Sequence, residues 1–196
     1  MLGEIGLMRL FDITVDSGIA YQRHLAAPFE IGGSELLGTV FKRGKKFEDQ
    51  RGIGSRIASD GGRVAFSLGG RGTFFVDKRV VDTLNGVLKA GNVEFVPAHI
   101  EGVDEEFFVL NCFDIVDCVA EAKSNFGKWM GDDGRPDMIG RYRGISRMVL
   151  DSNRTAGHDM FRTRNWEVAL ICNEQVRDAL LNAGITGIKF NPVEMS

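Results

Sequence analysis

Two stretches of the chain follow the same plan, and that plan restricts the fold more than any other feature. The first is "TFFVDKRVVDTLNGVLKAGNVEFVPAHI", starting at Thr73. Thr73 to Val76 reads as a strand. Asp77 can cap a helix, because its carboxylate accepts from the free N–H groups of the first turn. Val80, Leu84, Val87 and Leu88 then recur at the spacing of one helix face. Gly91 is placed to close the helix in a left-handed cap. Val93 to Ile100 reads as a second strand, with Pro97 at its end or on a sheet edge. The second stretch repeats the order. "WEVALIC" from Trp166 is a strand and Asn173 a cap. Glu174 to Ala183 is a helix with Val176, Ala179, Leu180 and Ala183 on one face, and Gly184 is its stop. Thr186 to Val193 is a strand holding Phe190 and Pro192. Ile171, Asn173, Val176, Asp178 and Leu180 keep the mutual spacing of Phe75, Asp77, Val80, Asp82 and Leu84, and both stretches end in Phe-x-Pro. Two explanations fit: a unit made twice, or the constraints that any strand–helix–strand unit obeys.

Around these stretches the pattern is mostly extended. "FFVLNCFDIVDCV", Phe107 to Val119, is the longest apolar run and reads as a central strand that leaves the core between Asp114 and Asp117. Leu7 to Val15 reads as a strand ending in the turn Asp16-Ser17-Gly18. Arg63 to Leu68, Arg141 to Leu150 and Asp159 to Arg162 are further strand candidates. Phe41 to Arg56 is basic and turn-rich, and reads as a surface excursion. The 25 glycines argue against a helical bundle. The 14 phenylalanines, which have no polar handle, supply the core. The expectation is one α+β domain over residues 1–196. It has a mixed sheet and two similar strand–helix–strand units packed around Phe107 to Val119.

Several function classes fall away. A net charge of −3 lacks the basic excess of a nucleic-acid binder, and "KRGKK" from Lys42 reads as a solvated loop. No stretch reaches the roughly 20 apolar residues of a membrane span. The first residues, with Glu4 and Asp12, do not resemble a secretory signal, so a cytoplasmic location is expected. Cys112, Cys118 and Cys172 read as buried free thiols. His24, His99 and His158 stand far apart and there is no Cys-x-x-Cys, so neither a metal nor a cofactor is expected. "GIGSRIASDGG" and "SLGGRGT" lack the residues that complete a nucleotide-binding loop, and read as turns. The enzyme alternative rests on Asp114, Asp117 or Arg162 in a glycine-rich pocket. Against it, Asp114 and Asp117 fall on opposite faces of a strand.

Ser124 to Arg143 is more informative, because a loop this long is often functional. It holds Phe126, Trp129, Met130, Arg135, Arg141 and Tyr142, with Asp132 and Asp133 among them. Trp, Tyr and Arg dominate protein interfaces. Trp129 is thus either a partner contact or an anchor for the loop. Glu101 with Asp104, Glu105 and Glu106 forms an acidic patch suited to steering a basic partner.

The tail "FRTRNWEVALICNEQVRDALLNAGITGIKFNPV" resembles the closing signature of a bacterial polymorphic-toxin immunity protein family, the eleventh of its classification and a former domain of unknown function. The matching residues are Phe161-Arg162, Val176, Ala179, Leu180, Gly184-Ile185-Thr186-Gly187, Phe190 and Pro192. Asp117-Cys118, Ser124 and the strand "MVLD" from Met148 also fit. The likeness covers residues 73–193, while 1–72 match nothing recognisable. The family has a serine opening its first helix, where this chain has Asp77-Lys78. The resemblance implies a non-enzymatic protein that binds a cognate toxin in the cytoplasm and blocks it sterically. The candidate contacts are Trp129, Met130, Asp132, Asp133, Arg141 and Tyr142, assisted by the acidic patch.

Overall fold

The structure, a computed structural model, describes residues 9–18, 21–37, 39–48, 51–89 and 91–196. Leu7 and Met8 of the expected first strand, Glu4, and Ala90 before the expected glycine stop lie outside the described residues. The strands are β1 (Leu10–Val15), β2 (His24–Leu25), β3 (Phe29–Glu30), β4 (Ile53–Ser59), β5 (Phe66–Gly69), β6 (Thr73–Asp77), β7 (Val93–Glu101) and β8 (Phe107–Cys112). They continue with β9 (Ile115–Val116), β10 (Asn125–Lys128), β11 (Tyr142–Arg147), β12 (Val149–Leu150), β13 (Met160–Thr163), β14 (Trp166–Asn173) and β15 (Ile188–Met195). The helices are α1 (Lys78–Val87), α2 (Ser152–Thr155) and α3 (Glu174–Asn182). The class is α+β, with mixed sheets.

Six strands close into a barrel. The order is β2-β5-β6-β8-β7-β4, and β4 pairs back with β2, while β3 adds to the free stretch of β4. Alternation along the strands directs Leu25, Ile53, Phe75, Ala98, Ile100, Phe107 and Val109 into one cluster, joined by Leu36 and Phe41. Phe41 to Arg56 is therefore not a surface excursion. Phe41 is only 1% exposed, and Ile53 opens a barrel strand. The glycine-rich turns have a packing reason. A Cβ on Gly54 would lie 2.3 Å from the Phe29 ring, and one on Gly69 would lie 2.4 Å from the Phe75 ring. Glycine leaves space for aromatic rings at both places.

The second sheet has the order β12-β15-β1-β14-β13-β9, parallel at β12–β15 and β13–β9. An isolated bridge from Val119 to Leu150 brings the chain beyond β9 back to β12. One face of this sheet buries Leu10, Val116, Cys118, Leu150, Phe161, Ala169 and Ile171. The other face carries Phe11, Ile13, Leu170 and Cys172. These pack on the outer face of the barrel, at Phe66, Phe74, Val76, Leu110 and Cys112. The buried faces of α1 (Val80, Val81, Leu84) and α3 (Val176, Leu180) complete this main core.

Both helices start as their sequences dictate. The Asp77 carboxylate accepts from the backbone N–H of Arg79 and Val80, and the Asn173 side chain accepts from Val176. They end differently. Gly184 takes φ +64° after α3, but α1 already stops at Val87, and Gly91 has no left-handed conformation. The prolines also differ from expectation, since Pro97 and Pro192 both lie within strands. In each case the second neighbour joins only beyond the proline: β4 pairs from Ala98 and β12 from Glu194. The missing N–H then faces an unpaired edge and costs no ladder bond there. Phe107 to Val119 is divided, with β8 ending at Cys112 and β9 joining the other sheet. β8 lies between β6 and β7, and β1 lies between β14 and β15, antiparallel to both neighbours in each case.

Candidate partner-binding face

Part of the expected loop Ser124 to Arg143 is a strand, β10, which joins the strand expected over Arg141 to Leu150 in a hairpin. β10 pairs antiparallel with β11, and only residues 129–141 form its irregular tip. Phe126 and Tyr142 stand edge to face, with centroids 5.1 Å apart, and the Lys128 ammonium lies over both rings. Tyr142 is buried, and its hydroxyl donates to Glu121 at 2.7 Å. Lys128 pairs with the same carboxylate at 2.7 Å. Hydrogen bonds from Lys128 and Tyr142 hold the Glu121 carboxyl below its usual pKa. Burial, with the Glu121 carboxylate beside it, pushes the Tyr142 phenol up. Tyr142 is thus the anchor of the hairpin, in contrast to the outward contact expected from the sequence.

The tip is held by its own polar groups. Trp129 N–H donates to the Arg141 carbonyl and Gly140 N–H returns to the Trp129 carbonyl, each at 3.0 Å. The half-buried Trp129 ring is approached by two guanidiniums, Arg143 at 5.1 Å and Arg135 at 5.9 Å from its centroid. Arg143 pairs with Asp133, whose other oxygen accepts from Met130 N–H. Arg135 pairs with Asp137, and Arg141 with Glu167. Each group is oriented by a neighbour, so the tip has a defined shape. It presents Met130, 61% exposed, and Ile139, 55% exposed, with Asp132 exposed beside them. An ordered, cation-flanked tryptophan next to two exposed apolar side chains has the make-up of an interface centre. Ile139 and Arg143 were missed from the sequence. Ile139 sits among Gly and Asp, and Arg143 becomes notable only when the hairpin folds it over Trp129.

The acidic residues belong to the barrel instead. Glu101 ends β7, and Asp104, Glu105 and Glu106 lie in the turn into β8, where Glu105 pairs with Arg63 at 2.9 Å. Asp104 to Glu106 border a crevice of about 590 Å³ with Pro97, His99 and Phe107. The structure groups the loop candidates on one hairpin and the four acids on a different sheet.

The side chains of the enzyme alternative do not converge, although the backbone N–H of Arg162 donates to the Asp114 carbonyl at 2.8 Å. Asp114 Oδ2 holds His158 Nδ1 at 2.7 Å and accepts from Asn92 at 3.1 Å. Asp117 is exposed, near Arg154. Arg162 is buried over the Phe74 ring and donates to the Glu167 carbonyl at 2.7 Å. A groove of about 1160 Å³ between α1 and α3 is lined by His158 and Asp159 but by none of those three. Among the described residues no group of three or more His, Cys, Asp or Glu side chains has the arrangement to hold a metal ion. No described helix is long and apolar enough to cross a membrane.

A family model described as Immunity protein family (Imm11) matches residues 58–195, most of the chain. No curated protein matches it.

Proposed function

The chain belongs to the immunity protein family Imm11, and from that premise we propose that it protects its producer by binding a cognate protein toxin in the cytoplasm. Blockade is steric: the protein covers the toxin's active site and performs no chemistry of its own, with no cofactor and no nucleic acid. The β10–β11 hairpin supplies the contact centre. The observation that carries this is the tip itself, where Trp129, fixed by Arg135 and Arg143, adjoins exposed Met130 and Ile139. Asp132, Asp133 and Arg141 flank it, Tyr142 holds it from within, and Glu101 with Asp104, Glu105 and Glu106 steers a basic toxin toward the complex.

The scaffold presenting the hairpin is a single domain, and we read β6-α1-β7 and β14-α3-β15 as two copies of one unit. In support, each copy places an antiparallel strand between its own two strands, at equivalent register. Val109 joins Phe75 to Val96, and Asp12 joins Ile171 to Asn191.

The test is co-purification with the product of the neighbouring reading frame, followed by Trp129→Ala and Met130→Ala. Trp129→Ala is expected to weaken toxin binding by about 2 kcal/mol or more, roughly thirtyfold, with little change in Tm. Unchanged affinity in both variants removes the hairpin from the interface.

A further inference from the structure

Beside the hairpin lies a smaller crevice, about 360 Å³, between β11 and the strands β1, β14 and β15. Asp12, from the central strand β1, is among its lining residues. Oδ1 of Asp12 is buried and has no hydrogen-bond partner, and among the described residues no cation forms an ion pair with it. The nearby cations bond to other groups, although Arg162 Nε is itself buried without a partner. Arg162 donates to the Glu167 carbonyl, and Arg147, at the rim, pairs with Glu194. Trp166, Ile145 and Met148 form apolar parts of its wall. A carboxylate with one oxygen buried and unpaired is costly, and an opening beside it in which Trp166, Ile145 and Met148 stand among polar groups has the chemistry for a cation on a long aliphatic stem.

We propose that this crevice receives an arginine side chain of the partner toxin, its guanidinium pairing with Asp12 and lying along Trp166. The proposal rests on the toxin-binding reading above and assigns that partner one chemical feature. Arginine suits the site better than lysine. Its planar fork can bond a carboxylate while its face stacks on an indole, and it is the more weakly hydrated of the two cations. The methylene stem would lie against Ile145 and Met148. The crevice adjoins β11, so an arginine seated there would extend the hairpin contact along the base of the same element. Burial already raises the Asp12 pKa to about 6, against a weaker opposing pull from the Leu170 backbone and Arg162. The charged groups near it are Arg162 from β13, Arg147 from β11 and Glu194 from β15. Neither Arg162 nor Arg147 loses its charge between pH 5 and 8. Arginine uptake should therefore weaken as pH falls through about 6, where Asp12 gains its proton.

The experiment uses the full chain without toxin, titrated with N-acetyl-arginine-N-methylamide. The neutral citrulline analogue is the control. The Asp12 carboxyl carbon and the Trp166 indole N–H are followed by NMR. Trp129→Phe identifies the Trp166 signal. The expected result is a saturable shift at both groups with the arginine probe alone, and a lower Asp12 pKa when the site is filled. Asp12→Asn, which keeps the size of the side chain, should weaken the probe by roughly tenfold. A thermal melt verifies that the variant is folded. An absent saturable shift, an equal response to citrulline, or an unchanged affinity in Asp12→Asn overturns the proposal. Because no toxin is present, failure here leaves the toxin-binding reading standing, and failure of co-purification would not abolish the probe's binding.

Discussion

Gly187→Ala is the sharpest single test of how the two sheets are joined. Gly187 precedes β15 and takes φ +86°, a conformation that L side chains rarely adopt. A Cβ built there would stand 2.2 Å from the carbonyl oxygen of Phe66 and 2.8 Å from Cβ of Val64, so the obstacle is largely backbone. The preceding residue bonds the same strand, since Phe66 N–H donates to the Thr186 carbonyl at 3.0 Å. On the other side Asp16 N–H donates to the Gly187 carbonyl at 3.1 Å. The left-handed strain costs about 1–3 kcal/mol. Pushing the segment off Phe66 endangers two hydrogen bonds worth about 1 kcal/mol each. The sum is about 3–5 kcal/mol, or a Tm lower by roughly 10 °C for a chain of this length. Circular-dichroism melts and urea titrations of the purified variant measure it. Gly86→Ala is the internal control, because Gly86 lies within α1 with nothing within 4 Å of its Cβ position, and alanine there should add up to ~1 kcal/mol. If Gly187→Ala melts within about 2 °C of the parent chain, the close contact of Gly187 with Phe66 does not hold the two sheets together.

Three further expectations concern buried polar groups. The folded Asp12 pKa lies above the ordinary 3.8, so between about pH 4 and 6 the folded chain holds a proton that the unfolded chain has released. Stability therefore falls as pH rises through that window and stays lower above it. Asp12→Asn should be more stable than the parent by roughly 2–3 kcal/mol near neutral pH, with no gain at about pH 3.5, as urea unfolding at both values would show. A pH-independent difference would contradict the cause assigned. Asn173→Ala removes the acceptor for Val176 N–H and the donor to Asp159 Oδ1, and should lower the urea-derived stability by about 2 kcal/mol. Burial raises all three thiols, Cys112 to about 11 and Cys118 to about 12, with Cys172 also moved up. A thiol reagent should then label the native chain only as fast as it opens, and rapid labelling would refute their burial.

The features legible in the sequence are those whose cause is local. Asp77 and Asn173 announce helix starts because a cap needs only the side chain and the next turn. Gly184 announces a stop for the same reason. The barrel was hidden because its cause is distant. β2 and β3 have two residues each, too few for any periodicity, and β4 begins at the end of a basic stretch whose apolar members matter only once the ring of strands closes. Gly54 and Gly69 read as turn residues, yet both make room for a phenylalanine ring from a neighbouring strand. The second strand of the hairpin, β11, falls within the strand expected over Arg141 to Leu150, whereas β10 is hidden because Gly127 interrupts its four residues. Tyr142 looked like a contact by residue type, and only the fold shows its hydroxyl turned to Glu121. Asp12 gave no signal at all, because a carboxylate in a strand looks solvated until its neighbours are known.

The place of β1 sets an order on folding. It lies between β14 and β15, and Thr14 reaches a partner, Asn191, that is 177 residues away. As the chain leaves the ribosome, every barrel strand through β8 is available long before β14 and β15 exist. The barrel can close early, while β1 waits with Phe11, Ile13 and two open edges exposed. The long closure is expected to make the second sheet slower to complete than the barrel. A fragment limited to 58–195 would lack the central strand of that sheet, so the span that identifies the family is shorter than the span that folds.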